Sequence, residues 1–178
     1  LLCLLFCGCA KTEGAMDAGL KFRADLLNAS GCMMDATVTA DYGNKTYTFA
    51  MGCEFDAHGN LSFTVRSPQT ISGIAGTVGP EGGALRFDDT ALFFPFLADE
   101  QISPVSAPWV FMKTLRSGYI TSAGEDNGMV SLIIDETYED ETVTLHVWLN
   151  EASIPVLGEL YWCGRRILTI EVANFRVL

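Results

Sequence analysis

The sequence predicts a mainly β (α+β) domain of antiparallel strands with one short helix. From Asn60 to Arg66 apolar and polar residues alternate, so that Leu61, Phe63 and Val65 share one face of a strand. Turn-forming clusters recur about every dozen residues, which indicates a meander of hairpins rather than parallel β-α-β units. Only one stretch, after Ser106, has the apolar spacing and end signals of a helix.

Composition indicates one packed domain whose negative charge disfavours binding to polyanions. The chain has 178 residues, of which 49% are hydrophobic and 19% charged. A chain of this length buries roughly two-thirds of its unfolded surface on folding. The net charge of −11 argues against nucleic acid or bare anionic lipid as a partner, because both would be repelled.

The N-terminus predicts export and a lipid anchor. The apolar run of residues 1–9 is too short to span a bilayer and is similar to the end of a secretory signal. It also resembles a bacterial lipobox, which implies that Cys9 carries the lipid. A core-helix fragment and an ordinary secretory signal are the alternatives. We therefore expect the end of a signal peptide at 1–9, a tether or at most a short helix at 10–19, and one domain at 20–178.

Strands are predicted in most of the remaining chain. The turn Tyr42-Gly43-Asn44 predicts a hairpin, and Pro68 ends the central strand because proline cannot donate to a ladder. Gly73 suits a kink or bulge where the chain resumes. The predicted strands are Leu20–Leu27, Met33–Asp41, Lys45–Phe55, Asn60–Arg66, Leu85–Phe87, Met129–Thr137, Thr142–Leu149, Pro155–Cys163 and Arg166–Val172.

The predicted helix runs from Ser106 to Ser117. Ser106 is expected to cap it, Pro108 is tolerated in its first turn, and Arg116 favours its last turn. Gly118 is expected to end it in the left-handed conformation. Trp109, Met112 and Leu115 share the apolar face.

A disulfide is expected between Cys32 and Cys53. A two-residue hairpin loop would pair Asp41 with Asn44 and so place the two cysteines directly opposite each other. An exported protein meets conditions in which such a bond persists. Cys163 is then a lone thiol, expected to be buried beside Trp162.

No catalytic motif or metal-binding pattern is found in the sequence. His58 lies in a turn and His146 on the wetter side of a strand, and neither has a motif partner. Glu54, Asp56 and His58 could gather a metal ion, but such groupings are common by chance. We expect no cofactor, no metal and no enzymatic activity.

The order of the motifs resembles a known family. The pattern S-P-x-x-I-x-G-I begins at Ser67, and I-P-x-x-x-E-L-x-x-x-G-R-R-I begins at Ile154. Together with Ser-Pro before a short helix and Asn174-Phe175, they resemble the bacterial lipoprotein carriers LolA and LolB and their Gram-positive lipoprotein relatives. Those relatives include glycolipid-binding lipoproteins of mycobacteria and a spore-germination lipoprotein of clostridia. We predict no counterpart of the carrier's long N-terminal helix.

The resemblance implies a strongly curved antiparallel sheet, an open half-barrel, with the short helix packed in its concave side. It implies a membrane-anchored extracytoplasmic lipoprotein that binds or carries an apolar small molecule or lipid. The alternative is a structural or interaction lipoprotein of the envelope or spore, with its groove filled by its own side chains and an envelope protein as partner. The predicted ligand-binding residues are Leu61, Phe63, Val65, Ile71, Ile74, Phe87, Trp109, Met112 and Leu115.

Overall fold

An antiparallel sheet of eleven strands dominates the fold. The computed structural model describes residues 9–43, 45–87, 90–94, 97–98, 101–139 and 142–178. Residues 1–8, which include most of the predicted signal, and Asn44 of the predicted turn lie outside this part of the chain. The sheet is curved and unclosed, and a short helix packs against it, so the predicted fold class is confirmed.

The described residues form two α-helices and thirteen strands. The helices are α1 (Cys9–Asn28) and α2 (Ala107–Ser117). The strands are β1 (Gly31–Asp41), β2 (Thr46–Asp56), β3 (Leu61–Ser67), β4 (Ala75–Gly79), β5 (Gly82–Phe87), β6 (Thr90–Phe94), β7 (Leu97–Ala98), β8 (Gln101–Ile102), β9 (Tyr119–Asp126), β10 (Met129–Asp135), β11 (Val143–Leu149), β12 (Pro155–Trp162) and β13 (Arg165–Val177).

The last strand joins the two halves of the sheet. The strand order is β6-β5-β4-β3-β2-β1-β13-β12-β11-β10-β9, and β7 and β8 form a separate pair. The C-terminal β13 therefore lies between β1 and β12, and Leu178 continues the contact by donating from its N–H to the Gly31 carbonyl at 2.9 Å. The first and last parts of the chain depend on each other for hydrogen bonding.

The core lies between the sheet and the two helices. Burial alternates strictly along β11, where Val143, Leu145, Val147 and Leu149 are buried and the residues between them are half-buried. The buried faces meet the helices directly. The fully buried ring of Phe111 in α2 lies over Gly158 of β12, where an added Cβ would come within 2.5 Å of it.

Helix α1 corrects two sequence predictions. Leu20–Leu27 is helical rather than a strand, and residues 10–19 belong to the same helix rather than to a separate tether. The buried positions are Ala15, Gly19, Phe22 and Leu26, whose spacing of four, three and four residues is that of a helix face. Because Ala15 and Gly19 are small, the helical spacing could not be seen from large apolar residues. The apolar residues that alternate between Leu20 and Leu27 suggested a strand instead.

A long N-terminal helix is therefore present, contrary to our expectation. It packs against β9 and β10, and Gly19 allows this contact, since a Cβ there would come within 2.7 Å of a Leu132 methyl group. Among the described residues, no helix is both long and apolar enough to cross a membrane.

The predicted strands after residue 30 are confirmed with small shifts at their ends. The hairpin of β1 and β2 forms, but Asp41 pairs with Thr46, so the loop is longer than predicted. After Pro68 the chain makes a short 3-10 turn, and Gly73 has a φ of +90°, which favours glycine. Strands β4, β6, β7, β8 and β9 were not among the predicted strands, and β6 and β9 are the two edges of the sheet.

Candidate ligand-binding cleft

Helix α2 positions the candidate site. Pro108 lies in its first turn and Arg116 in its last, as predicted. The predicted cap is wrong in detail, because the Ser106 hydroxyl donates to the Ser103 carbonyl at 2.7 Å and makes no capping bond.

Gly118 ends α2 for a different reason from the one predicted. Its φ is −72°, an extended rather than left-handed conformation. A Cβ at this position would lie within 2.7 Å of both a methyl group of Ile134 and the Thr114 carbonyl. Glycine is therefore required by close approach to β10 and not by the sign of φ.

Most of α2 is buried in the core. Eight of its eleven residues are buried, and Phe111, Met112 and Leu115 have at most 2% of their surface exposed. The space directly beneath the helix is therefore filled by its own side chains.

A cleft of about 640 Å³ lies beside α2. Its walls come from the end of α1, one side of α2, two turns of the N-terminal half of the sheet, and the chain around the start of β11. The lining residues are Leu27, His58, Gly59, Pro80, Trp109, Val110, Lys113, Arg116, Ser117, Glu136, Thr137, Glu139, Thr142, Val143 and Trp162.

Apolar side chains supply much of the lining. Three of them, Trp109, Val110 and Val143, are at most 6% exposed, so only a small part of each side chain faces the cleft. Leu27 is 50% exposed and Trp162 is half-buried. Space bordered by such side chains suits an apolar guest, because burying apolar surface is favourable by about 25 cal/mol per Å².

Two cationic side chains of α2, Lys113 and Arg116, border the cleft, and they differ in whether a carboxylate neutralises them. Lys113 forms an ion pair with Glu136, and its Nζ lies 5.3 Å from the centre of the Trp109 ring. Arg116 donates from Nη2 to the Ala57 carbonyl at 3.0 Å. Within the described residues no carboxylate pairs with Arg116, so its charge is not neutralised locally.

A second guanidinium reaches the C-terminal end of α2. Arg23 of α1 donates from Nε to the Leu115 carbonyl at 2.7 Å, and burial lowers the pKa of this arginine. Its Nη2 is buried and finds no hydrogen-bond partner in the part of the chain described. The end of α2 therefore carries two arginines that lack a carboxylate partner among those residues.

The structure separates most of the predicted ligand-binding residues from the cleft. Of the predicted residues whose side chains the structure describes, only Trp109 lines it. Leu61, Phe63, Val65, Met112 and Leu115 are buried in the core, while Ile71 and Ile74 are half-buried against it. The side chain of Phe87 lies outside the described part of the chain. A ligand role for these residues stays a prediction.

Sequence reasoning did not identify Leu27, Val143, Trp162 or Arg116 as residues of one site. They come from four elements far apart in the chain, and no local motif connects them. Leu27 does not fit the buried spacing of α1, but neither does Leu20, which does not line the cleft, so exposure of an apolar residue could not have located the site.

The fold has solved relatives. A conserved protein from Thermus thermophilus is similar with a TM-score of 0.50 at 6% identity, over 93% of this chain and 86% of that one. The chain shares its fold with that bacterial protein. No family model matches the chain, and no curated protein matches its sequence significantly.

Two further solved structures are similar to this chain at lower TM-scores. One is a LolA-superfamily protein from Nitrosomonas europaea, with a TM-score of 0.46 and 8% identity over 94% of both chains. The other is the complex of the CwlD amidase with the GerS lipoprotein from Clostridioides difficile, with a TM-score of 0.48 and 12% identity over 92% of this chain and 95% of that one.

The predicted disulfide is not formed. The register of β1 and β2 pairs Cys32 with Phe55 and Cys53 with Met34, so the cysteines are diagonal neighbours rather than opposite each other. Diagonal neighbours lie about 7–8 Å apart, beyond the usual reach of a disulfide. Both are free thiols, and burial raises the pKa of Cys32 to about 11 and that of Cys53 to about 12.

The remaining thiol differs from expectation, and Asp56 of the grouping considered for a metal ion has hydrogen-bond partners in its own turn. Cys163 is exposed rather than buried, in a turn with a φ of 49°. Asp56 accepts hydrogen bonds from the backbone N–H groups of His58 and Asn60, both at 2.9 Å, and so stabilises their turn. Within the described residues, no cluster of three or more His, Cys, Asp or Glu could hold a metal ion.

Proposed function

We propose that this chain is an extracytoplasmic lipoprotein, anchored to the membrane through Cys9, that binds an apolar ligand such as an acyl chain in the cleft beside α2. The observation that carries the proposal is the cleft itself, which has Leu27, Trp109, Val110 and Trp162 in its lining. No covalent chemistry is required of it, and no cofactor, metal or nucleic acid takes part.

The proposed ligand position is the cleft beside α2, whereas the sequence suggested a position beneath the helix. The sequence suggested a groove under the helix, but Met112 and Leu115 fill that space. A charge placed there would disrupt the core whether or not the protein binds a lipid, so variants of those residues cannot test binding.

Leu27 provides a sharper test. It is 50% exposed in the free protein, so Leu27→Glu leaves the core intact and places a carboxylate in the cleft. We expect the Kd for a neutral fluorescent apolar probe, phenylnaphthylamine, to rise by roughly tenfold or more, because an apolar guest would desolvate the charge.

Leu20→Glu is the matched control for that variant. Leu20 lies on the same helix and is 48% exposed, but it does not line the cleft. Unchanged binding by the Leu20 variant, with weak binding by the Leu27 variant, supports the cleft. If both variants bind as the wild type does, the ligand does not lie there. If the wild type binds no apolar probe, the binding function is wrong.

Anchoring is tested separately by Cys9→Ser. The variant should leave the membrane fraction and lose lipid labelling, because the thiol that accepts the lipid is gone. Retention of both the membrane association and the label would contradict a lipid anchor at Cys9.

The interaction-lipoprotein alternative is favoured by one observation, the filled space beneath α2, where eight of the helix's eleven residues are buried. Native mass spectrometry of the purified protein distinguishes the two functions. A co-purified lipid favours the carrier, whereas an empty protein that crosslinks to one specific envelope protein favours the alternative.

A further inference from the structure

We propose that the ligand of the cleft is a single-chain anionic amphiphile, whose carboxylate or phosphate group binds Arg116 while its chain lies along Trp109 and Val110. This inference rests on the proposed function and adds the chemical class of the ligand. It is carried by the position and pairing of the charges at the end of α2.

Of the lysine and arginine side chains that line the described part of the cleft, Arg116 is the one without a carboxylate partner. Lys113 is neutralised by Glu136 and held over the Trp109 ring. Arg116 is fixed at the cleft wall by its bond to the Ala57 carbonyl, and the neighbouring Gly59 would place a Cβ 3.7 Å from its Nε. A guanidinium has five N–H donors, so donation to one carbonyl leaves enough for a bidentate oxyanion.

Arg23 adds to the positive potential at this end of α2. The C-terminus of a helix ordinarily disfavours an anion, since its unpaired carbonyls carry partial negative charge. Here the Arg23 guanidinium binds the carbonyl of Leu115, the residue that precedes Arg116. Two guanidinium groups without a carboxylate partner in the described chain therefore oppose the helix dipole, and they oppose locally the net charge of −11 that disfavours anionic partners elsewhere on the protein.

The cleft has the length for a chain beyond the charge. Trp109 and Arg116 are seven positions apart in α2, which corresponds to about 10 Å of helix rise. Val110 lies on the same side, and Leu27 borders the space from α1. An amphiphile with its oxyanion at Arg116 can therefore lay a chain segment of about 10 Å against apolar side chains, whose burial is favourable.

Acidic residues also line the cleft, and they could favour a ligand with a cationic headgroup. Glu136 is paired with Lys113, but Glu139 is exposed and lines the cleft. A cationic headgroup would favour Glu139 over Arg116, so the sign of the preferred headgroup decides between them.

The experiment compares four ligands with one chain and different headgroups. The Kd of each ligand for the wild-type protein is measured by its displacement of phenylnaphthylamine. The four ligands are dodecanoate, dodecyl phosphate, dodecanol and dodecylammonium. We expect the two anions to bind about tenfold more tightly than dodecanol, in keeping with a charge-assisted pair of hydrogen bonds. A preference for dodecanoate indicates a fatty acid, and one for dodecyl phosphate indicates a phospholipid-derived ligand.

Variants then assign the preference to Arg116. Arg116→Gln should weaken the binding of the two anions and so remove their advantage over dodecanol, while Arg116→Lys should retain part of that advantage. Arg86→Gln is the matched control, because this arginine lies on β5 away from the cleft. A merely structural role for Arg116 would weaken all four ligands equally.

Each result has a defined consequence. Equal binding of all four ligands, or tightest binding of dodecylammonium, overturns the anionic-ligand inference and leaves the apolar cleft standing. An anion preference that survives Arg116→Gln also overturns it. Failure of every ligand and of the probe to bind overturns both this inference and the proposed function.

Discussion

At the scale of single residues, the absence of one methyl group sets the distance between α2 and the sheet. Gly158 of β12 faces the ring of Phe111, and a Cβ there would approach two ring atoms at 2.5 and 2.8 Å. Phe111 is fully buried, so its ring has little space into which to move. Packing at this contact therefore fixes how close the helix lies to the strand.

Gly158→Ala is expected to lower the free energy of unfolding by about 1–3 kcal/mol, the usual penalty for overpacking a core. Urea titration followed by circular dichroism measures the change. Gly124→Ala is the matched control, because its Cβ would lie 3.7 Å from the Ser131 hydroxyl, an ordinary contact. Equal effects of the two substitutions would contradict a tight contact between Phe111 and Gly158.

At the scale of elements, α1 depends on small residues along its buried face. Ala15 and Gly19 are both buried, and Gly19 lies against the methyl groups of Leu132 in β10. Gly14 of the same helix has no atom within 4 Å of its would-be Cβ. The two glycines therefore differ in packing but share the same backbone context.

Gly19→Leu should displace α1 from β10 and destabilise the fold by about 1–3 kcal/mol through overpacking. Gly14→Leu should instead stabilise it by up to about 1 kcal/mol, because leucine has the higher helix propensity. Amide hydrogen exchange along α1, compared between the two variants, measures the docking. Similar protection in both would show that α1 does not rely on its contact at Gly19.

At the scale of the whole molecule, β13 makes the two halves of the sheet one cooperative unit. Ile170 is fully buried and pairs with Val38 on one side and Gly158 on the other. The three tryptophans report on α2, β11 and β12, and the buried Cys53 thiol reports on β2. Because burial raises its pKa to about 12, Cys53 is inert near neutral pH until β2 opens.

We expect tryptophan fluorescence and Cys53 alkylation to give the same midpoint in urea. Ile170→Ala should lower the free energy of unfolding by about 2–5 kcal/mol and move both midpoints together. Glu171→Ala, at the exposed neighbouring position, should change it by less than about 0.5 kcal/mol. Alkylation of Cys53 at lower urea than the fluorescence change would show that the halves unfold separately.

Local patterns in the sequence were enough to predict the antiparallel class, most strands after residue 30 and the helix after Ser106. Each depends on local signals, namely alternation of apolar residues, turn chemistry and proline near a helix start. The N-terminal helix was missed because Ala15 and Gly19, half of its buried face, are too small to mark a helical spacing of large apolar residues.

The register, the state of the cysteines and the position of the cleft could be read only from the folded chain. A hairpin loop longer than predicted moved Cys32 and Cys53 out of direct opposition, although both kept the buried face that alternation assigns. The cleft required four elements to come together, with Arg116 fixed by a carbonyl 59 residues away in the chain. Periodicity tells which face of an element is buried, but register and contacts between distant elements depend on loop geometry and packing, which no local pattern encodes.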